Sequence, residues 1–330
     1  YKNILSELKT TNKISFYLRK KLSSKAFGHT AQYDTLIHNY MKEDQLSTKF
    51  SLTFVKHSNM RYGENPHQNA AAYQFPDDNS NNILNAKVHQ GKKLSYNNIM
   101  DSDGALNCLK DFEEPTCVIV KHANPCGVST GKNLLQTYKR AFNADSISAF
   151  GGIIAINRTC SKEVALEISK VFVEIVIAPE YEYESLEIFK KKKNLRVLQT
   201  KRLNKRSSKL EVRNIDGGIL IQNTDIKSLE KNDLKVVTKR VPSEKELNTA
   251  LFTWKVLKHA KSNGILIAKN NTTLGLGAGQ VSRVDAVHMA IKKTGNKIRG
   301  AVLASDAFFP FRDSIDVIGK TGIKTIIQPG

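Results

Sequence analysis

Short runs of β-branched and aliphatic residues at 117–120, 153–156, 265–268 and 302–304 constrain this chain more than any other feature. Runs of that length without polar alternation suit strands buried on both faces, since a helix needs about 10–12 residues. Between them lie stretches with helical periodicity at 99–112, 134–142, 161–169 and 184–193. Another helix starts at Ser243, read as N-cap with Glu246 in the capping-box position, and runs through Trp254 to about Ala260. Asp101 and Asp103 mark the acidic start of helix 99–112. Strand signals also occur at 52–55, 172–178, 194–198 and 217–221. This alternation predicts an α/β fold with parallel-type strands.

The length of 330 residues, 40% hydrophobic, suffices for two domain-sized cores. No apolar run approaches the ~18–20 residues of a membrane span, so no membrane partner is expected. Cys108, Cys117, Cys126 and Cys160 lack metal-ligand spacing, which predicts reduced thiols, no metal site and a cytoplasmic protein. The net charge of +20 suits either a nucleic-acid binder or a lysine-rich composition with sites for anionic substrates. The densest lysine runs, at 190–193 and 201–209, lack interleaved aromatics on which bases would stack, which argues against nucleic acid. Residues 1–44 read as helical and need a partner to bury their apolar faces. The polar stretch 201–209 reads as a connector between domains.

Several motifs could carry chemistry. Lys121-His122-Ala123-Asn124-Pro125-Cys126-Gly127 follows a buried strand and sets a cation beside a titratable base. Strand ends of α/β sheets form ligand clefts, although a plain surface turn would read the same. Met60 to Gln68 is a loop by composition, in which Arg61 offers a donor fork for phosphate or merely lies in a connection. Gly151-Gly152 runs into an apolar strand with the spacing of neither a dinucleotide fingerprint nor a P-loop. Glu174 inside the apolar run 172–178 must be paired, bound or solvent-facing. Leu274 to Gln280 reads as a glycine-rich loop before a helix opened by Ser282, a generic anion site. Phe308, Phe309 and Phe311, near Asp306, Arg312 and Asp313, suit a clamp for a flat ring or a core cluster equally.

In this order, Arg61 to Gln68, Lys121 to Gly127, Ser148 to Gly152, Gly275 to Arg283 and Ser305 to Asp313 closely resemble the transformylase half of a bifunctional purine-biosynthesis family, AICAR transformylase/IMP cyclohydrolase of bacterial type. The resemblance spans the chain. It implies two tandem cytidine-deaminase-like α/β/α units after a short helical segment, with 1–50 the end of the cyclohydrolase domain, 51–205 the first unit and 206–330 the second. The body of the cyclohydrolase domain and a last helix and strand are expected to lie outside this chain. The implied reaction moves a formyl group from 10-formyltetrahydrofolate, a co-substrate, to the 5-amino group of AICAR in a homodimer with sites at the interface. His122 would be the general base and Lys121 the transition-state stabiliser. Arg61, Tyr62, Gly151, Glu174 and Asn270 match nucleotide-binding positions, and Phe308 and Asp313 match the folate side. At His288 the family usually carries arginine or lysine reaching the phosphate.

Two rival readings belong to other classes. A zinc deaminase needs His-x-Glu and Pro-Cys-x-x-Cys, but His122 is followed by Ala123-Asn124 and Cys126 has no second cysteine, so no zinc is expected. The other is a catalytically impaired, truncated remnant acting as a basic binding protein.

Overall fold

The computed structural model describes residues 1–203 and 209–330. It divides into two compact units, residues 1–59 with 71–78, and residues 60–70 with 79–330. The boundary read at 205/206 lies outside the described residues.

The smaller unit holds helices α1 (Lys2–Thr11) and α2 (Phe16–Met41) and the antiparallel pair β1 (Val55–Asn59) and β2 (Ala71–Gln74). Ser15 caps α2 through Leu18 N–H, and Leu18 is the one buried residue of that helix. Phe27 and Tyr33 stay exposed along it. As read from the sequence, residues 1–44 are mostly helical and no strand precedes Ser51.

The larger unit is built on β3 (Lys87–Gln90), α3 (Tyr96–Leu109), β4 (Thr116–Lys121), β5 (Asn124–Thr130), α4 (Leu134–Phe142), α5 (Ser146–Ala149), β6 (Ile153–Ile156), α6 (Lys162–Ser169), β7 (Ile175–Ala178), α7 (Tyr183–Lys190) and β8 (Arg196–Gln199). An exposed hairpin follows, β9 (Leu210–Ile215) with β10 (Gly218–Asn223). Then come α8 (Glu244–Leu257), β11 (Ile265–Lys269), β12 (Thr272–Gly277), α9 (Arg283–Thr294), β13 (Val302–Ser305), α10 (Arg312–Gly319) and β14 (Thr325–Ile327). One mixed sheet takes ten strands in the order β14-β13-β11-β12-β5-β4-β6-β7-β8-β3.

That order contains a repeat. In the first half β4 is antiparallel to β5 and β6, and β6 is parallel to β7. In the second half β11 is antiparallel to β12 and β13, and β13 is parallel to β14. The halves join where β12 meets β5. The α/β class read from the sequence therefore holds, and the parallel arrangement holds in part: β6 and β13 run parallel to β7 and β14, whereas β4 to β6 and β11 to β13 pair antiparallel. Tight hairpins after β4 and β11 reverse the chain and cause this, since antiparallel strands need only a two-residue connection.

Strand side chains alternate between the two faces. Val118 and Val120 face a core shared with Leu106 of α3 and Leu257 of α8, which both lie on one side of the sheet. Cys117 and Ile119 face the other side, under α4 and α6. Ile265 and Ile267 do likewise under α9. The result is three layers, helix over sheet over helix.

Local readings need four corrections. Of the loop read at Leu274 to Gln280, the part up to Gly277 belongs to strand β12 and only 278–280 connect it to α9: a Cβ at Gly275 would lie 2.3 Å from Ala290 O, and one at Gly277 2.0 Å from Ala286 O. Those glycines let α9 lie against the strand. Helix α3 starts at Tyr96, capped by Ser95 with Asn98 completing the box, so Asp101 sits in its second turn. Glu174 precedes β7 instead of interrupting it. The strand read at 217–221 pairs only with β9, outside the main sheet.

Candidate active site

Lys121 ends β4 and Asn124 begins β5, so His122 and Ala123 alone form the turn. Both have positive φ, 51° and 58°, as a type I′ hairpin turn requires. Gly, Asn, Asp and, among larger side chains, histidine are enriched in that conformation, whereas alanine adopts it at a cost. Helix α3 supplies support: the Asp101 carboxylate accepts the His122 N–H at 3.2 Å and the Ala123 N–H at 2.7 Å. His122 is exposed at the tip of this braced hairpin. Asn124 donates to His122 O at 3.0 Å and accepts the Lys261 N–H at 3.2 Å, which ties the turn to the second half of the sheet.

Lys121 Nζ donates to Phe150 O at 2.7 Å. Next to it Gly151 has φ 70°, and its N–H donates to Phe172 O at 2.8 Å. A Cβ at Gly151 would stand 3.4 Å from the Phe172 ring, which lies 5.4 Å from the ring of Phe150. The Glu174 carboxylate accepts Asn98 Nδ2 at 2.8 Å and has Arg196 at 3.8 Å, yet stays 43% exposed. It is braced by α3 and open to solvent. Val120 pairs with Ile153, and Ile153 with Ile175. Lys121, His122, Gly151 and Glu174 therefore share one edge of the sheet.

Phe308 and Asp313 reach that edge from the other half. Ser305 ends β13 opposite Ile265, which pairs with Gly277. Gly279 N–H donates to Lys261 O at 2.8 Å, and Lys261 is the residue bound by Asn124. Phe308 and Phe311 are exposed while Phe309 packs on the core, so the phenylalanine cluster divides between surface and interior. Asp313 opens α10.

Asn270 lies elsewhere. It turns the chain between β11 and β12, at the end of β5 where Thr130 N–H donates to Asn271 O at 3.0 Å. β5 separates that end from His122 by about 20 Å at ~3.4 Å per residue. His288 is exposed on α9. The guanidinium of Arg61 stands 5.2 Å from the centre of the Tyr62 ring, in a loop closed by Gly63 N–H to Gln68 O at 2.9 Å. Arg61 makes no hydrogen bond among the described residues, so its fork is open to an anion.

Cys126 is not available as a thiolate: burial pushes its thiol up to about 12, with Asp145 adding to the effect. Among the described residues no group of three or more His, Cys, Asp or Glu could hold a metal ion, and no helix is long and apolar enough to cross a membrane. Sequence reasoning missed Asp101 as the turn's brace, and Asn98 and Arg196 as partners of Glu174. No local signal marks these pairings, because each joins residues far apart in the chain.

Fold and edge together define an α/β protein of two like halves on one sheet, with a lysine–histidine pair presented on a strand-end turn. The profile of the AICARFT/IMPCHase bienzyme matches residues 1–293, and the chain belongs to that family. It is 47% identical to the bifunctional purine biosynthesis protein PurH of Caldicellulosiruptor saccharolyticus and 48% identical to that of Acetivibrio thermocellus. The protein of the same name from Oceanobacillus iheyensis is 45% identical. Each match covers 100% of this chain and 65% of the relative's length.

Proposed function

We propose that this chain transfers a formyl group from 10-formyltetrahydrofolate to the 5-amino group of AICAR, in cytoplasmic purine biosynthesis. The observation that carries the reading is Lys121 and His122 side by side on a braced turn, in a member of this family. The 5-amino group is a weak nucleophile, since its lone pair is delocalised into the imidazole and carboxamide. His122 accepts its proton as nitrogen attacks the formyl carbon, the general-base role that an imidazole ring nitrogen can fill. Lys121 meets the charge developing on the formyl oxygen. One of its three N–H groups is bound to Phe150 O, which aims the ammonium and leaves two donors for the oxyanion. Collapse of the tetrahedral adduct breaks the bond to the tetrahydrofolate nitrogen, which takes up a proton.

Arg61 binds the phosphate, with Tyr62, Gly151 and Glu174 on the nucleotide side. Phe308 and Asp313 serve the folate. Asn270 and His288 bind nucleotide in a homodimer, where the edge bearing Asn270 in one copy faces the His122 edge of another. The two halves of the sheet correspond to tandem cytidine-deaminase-like units.

The test is single-turnover transfer at saturating AICAR beside equilibrium AICAR binding. His122→Ala is expected to lower transfer by ~10²–10⁴-fold with binding nearly unchanged. Arg61→Ala is expected to weaken binding, since a phosphate contact is made in ground and transition states alike. Near-normal transfer by His122→Ala would remove the mechanism.

A further inference from the structure

We infer that Asp101 is the positioning residue for His122, an inference that rests on the catalytic reading of that histidine. Its two carboxylate oxygens divide between the two turn amides: Oδ2 takes the His122 N–H at 3.2 Å and Oδ1 the Ala123 N–H at 2.7 Å. This brace spans both turn residues, of which Ala123 holds a positive φ that is unfavourable to alanine. Without it the turn has reason to relax, and the imidazole at its tip would move with the backbone.

The second half of the sheet serves as an internal control. There α8 stands where α3 stands, each begun by a serine N-cap and capping box. Asp101 is six residues beyond Ser95, and the residue six beyond Ser243 is Thr249. Thr249 Oγ1 donates to Lys245 O within its own helix at 3.0 Å and offers the turn no carboxylate. The corresponding turn is Asn270-Asn271, at φ 52° and 53°. Asparagine takes that conformation easily, so the turn needs no brace. The carboxylate occurs in the half whose turn carries the histidine and is replaced where the turn is made of asparagines.

The experiment compares the unaltered chain with Asp101→Ala, Asp101→Asn and the double variant Asp101→Ala/Ala123→Asn. Asp101→Ala is expected to lower kcat by about 10²-fold, the scale of a misplacement near 1 Å, with the AICAR KM within about threefold. Asp101→Asn, which keeps one acceptor oxygen, should fall between the two. Ala123→Asn, borrowed from the second half, should restore kcat at least several-fold by relieving the turn. Amide hydrogen exchange gives a readout independent of turnover. The Ala123 and His122 N–H groups should be protected in the unaltered chain and exchange about tenfold faster or more in Asp101→Ala, the loss of roughly one hydrogen bond's worth of protection. Unchanged exchange at both amides overturns the inference, and so does unchanged kcat in Asp101→Ala where His122→Ala is inactive. If His122→Ala retains transfer, the catalytic reading fails instead, and exchange alone decides whether Asp101 holds the turn.

Discussion

Lys121 and Lys269 are held in the same way. Lys121 Nζ donates to Phe150 O at 2.7 Å, and Lys269 Nζ donates to Arg299 O at 2.8 Å. Each acceptor is followed by a glycine at positive φ, Gly151 at 70° and Gly300 at 73°, just ahead of β6 and β13. Each lysine ends the first strand of its hairpin, and both hairpins shift register just before that end, at Ile119/Val120 and Ile267/Ala268. One scaffold is thus present twice, and the chemistry differs in the turn that follows, His122-Ala123 against Asn270-Asn271.

This pairing separates scaffold from catalysis. Lys121→Ala and Lys269→Ala each remove one hydrogen bond and should cost similar stability, about 1 kcal/mol in urea unfolding. Only Lys121→Ala should slow formyl transfer strongly, on the order of 10²-fold. Equal losses of transfer would show that Lys121 acts through the fold alone.

Glycines under the helices report on close packing. A Cβ at Gly127 would lie 2.2 Å from Ala141 O of α4, just as one at Gly275 meets Ala290 O of α9. Gly127→Ala and Gly275→Ala should each destabilise by about 1–3 kcal/mol or more, because the obstacle is backbone. Gly104, inside α3, has nothing within 4 Å of its Cβ position, and Gly104→Ala should stabilise by about 0.5–1 kcal/mol. Denaturant midpoints of the three variants check both signs.

A clasp between the halves should impose an acid dependence on stability. Asp111, after α3, lies 2.6 Å from His259 Nε2 and 3.0 Å from Lys258 Nζ, after α8, and all three side chains are largely buried. Burial pushes the Asp111 carboxyl up, but His259 and Lys258 outweigh it and hold it below the ordinary 3.8. A carboxyl lowered by folding stabilises fully above its unfolded value and loses that contribution as pH falls through the folded value. The clasp should therefore weaken below about pH 4, the ordinary carboxyl range. Asp111→Asn should lower stability at neutral pH by about 3 kcal/mol and flatten the decline in acid. Thermal melts from neutral pH down to about pH 3 read both effects; an unaltered acid slope would mean other carboxyls set it.

The sequence by itself determined the elements whose signals are local. The buried strands at 117–120, 153–156, 265–268 and 302–304 were legible because unbroken aliphatic runs admit little else. Helix α8 was legible to its cap because Ser243 and Glu246 bond within one turn. The order of the motifs carried the family, and with it the Lys121–His122 pair. Tertiary structure alone decided how these pieces pair. The hairpin at His122-Ala123 was hidden because alanine does not favour positive φ, and its brace, Asp101, lies 21 residues away in the chain. The glycines of β12 imitated a loop because their purpose, room for α9, appears only once the helix is in place. Asn270 and His122 belong to one ordered set of motifs but stand at opposite ends of β5, since strand direction is set by long-range hydrogen bonding that residue composition does not encode.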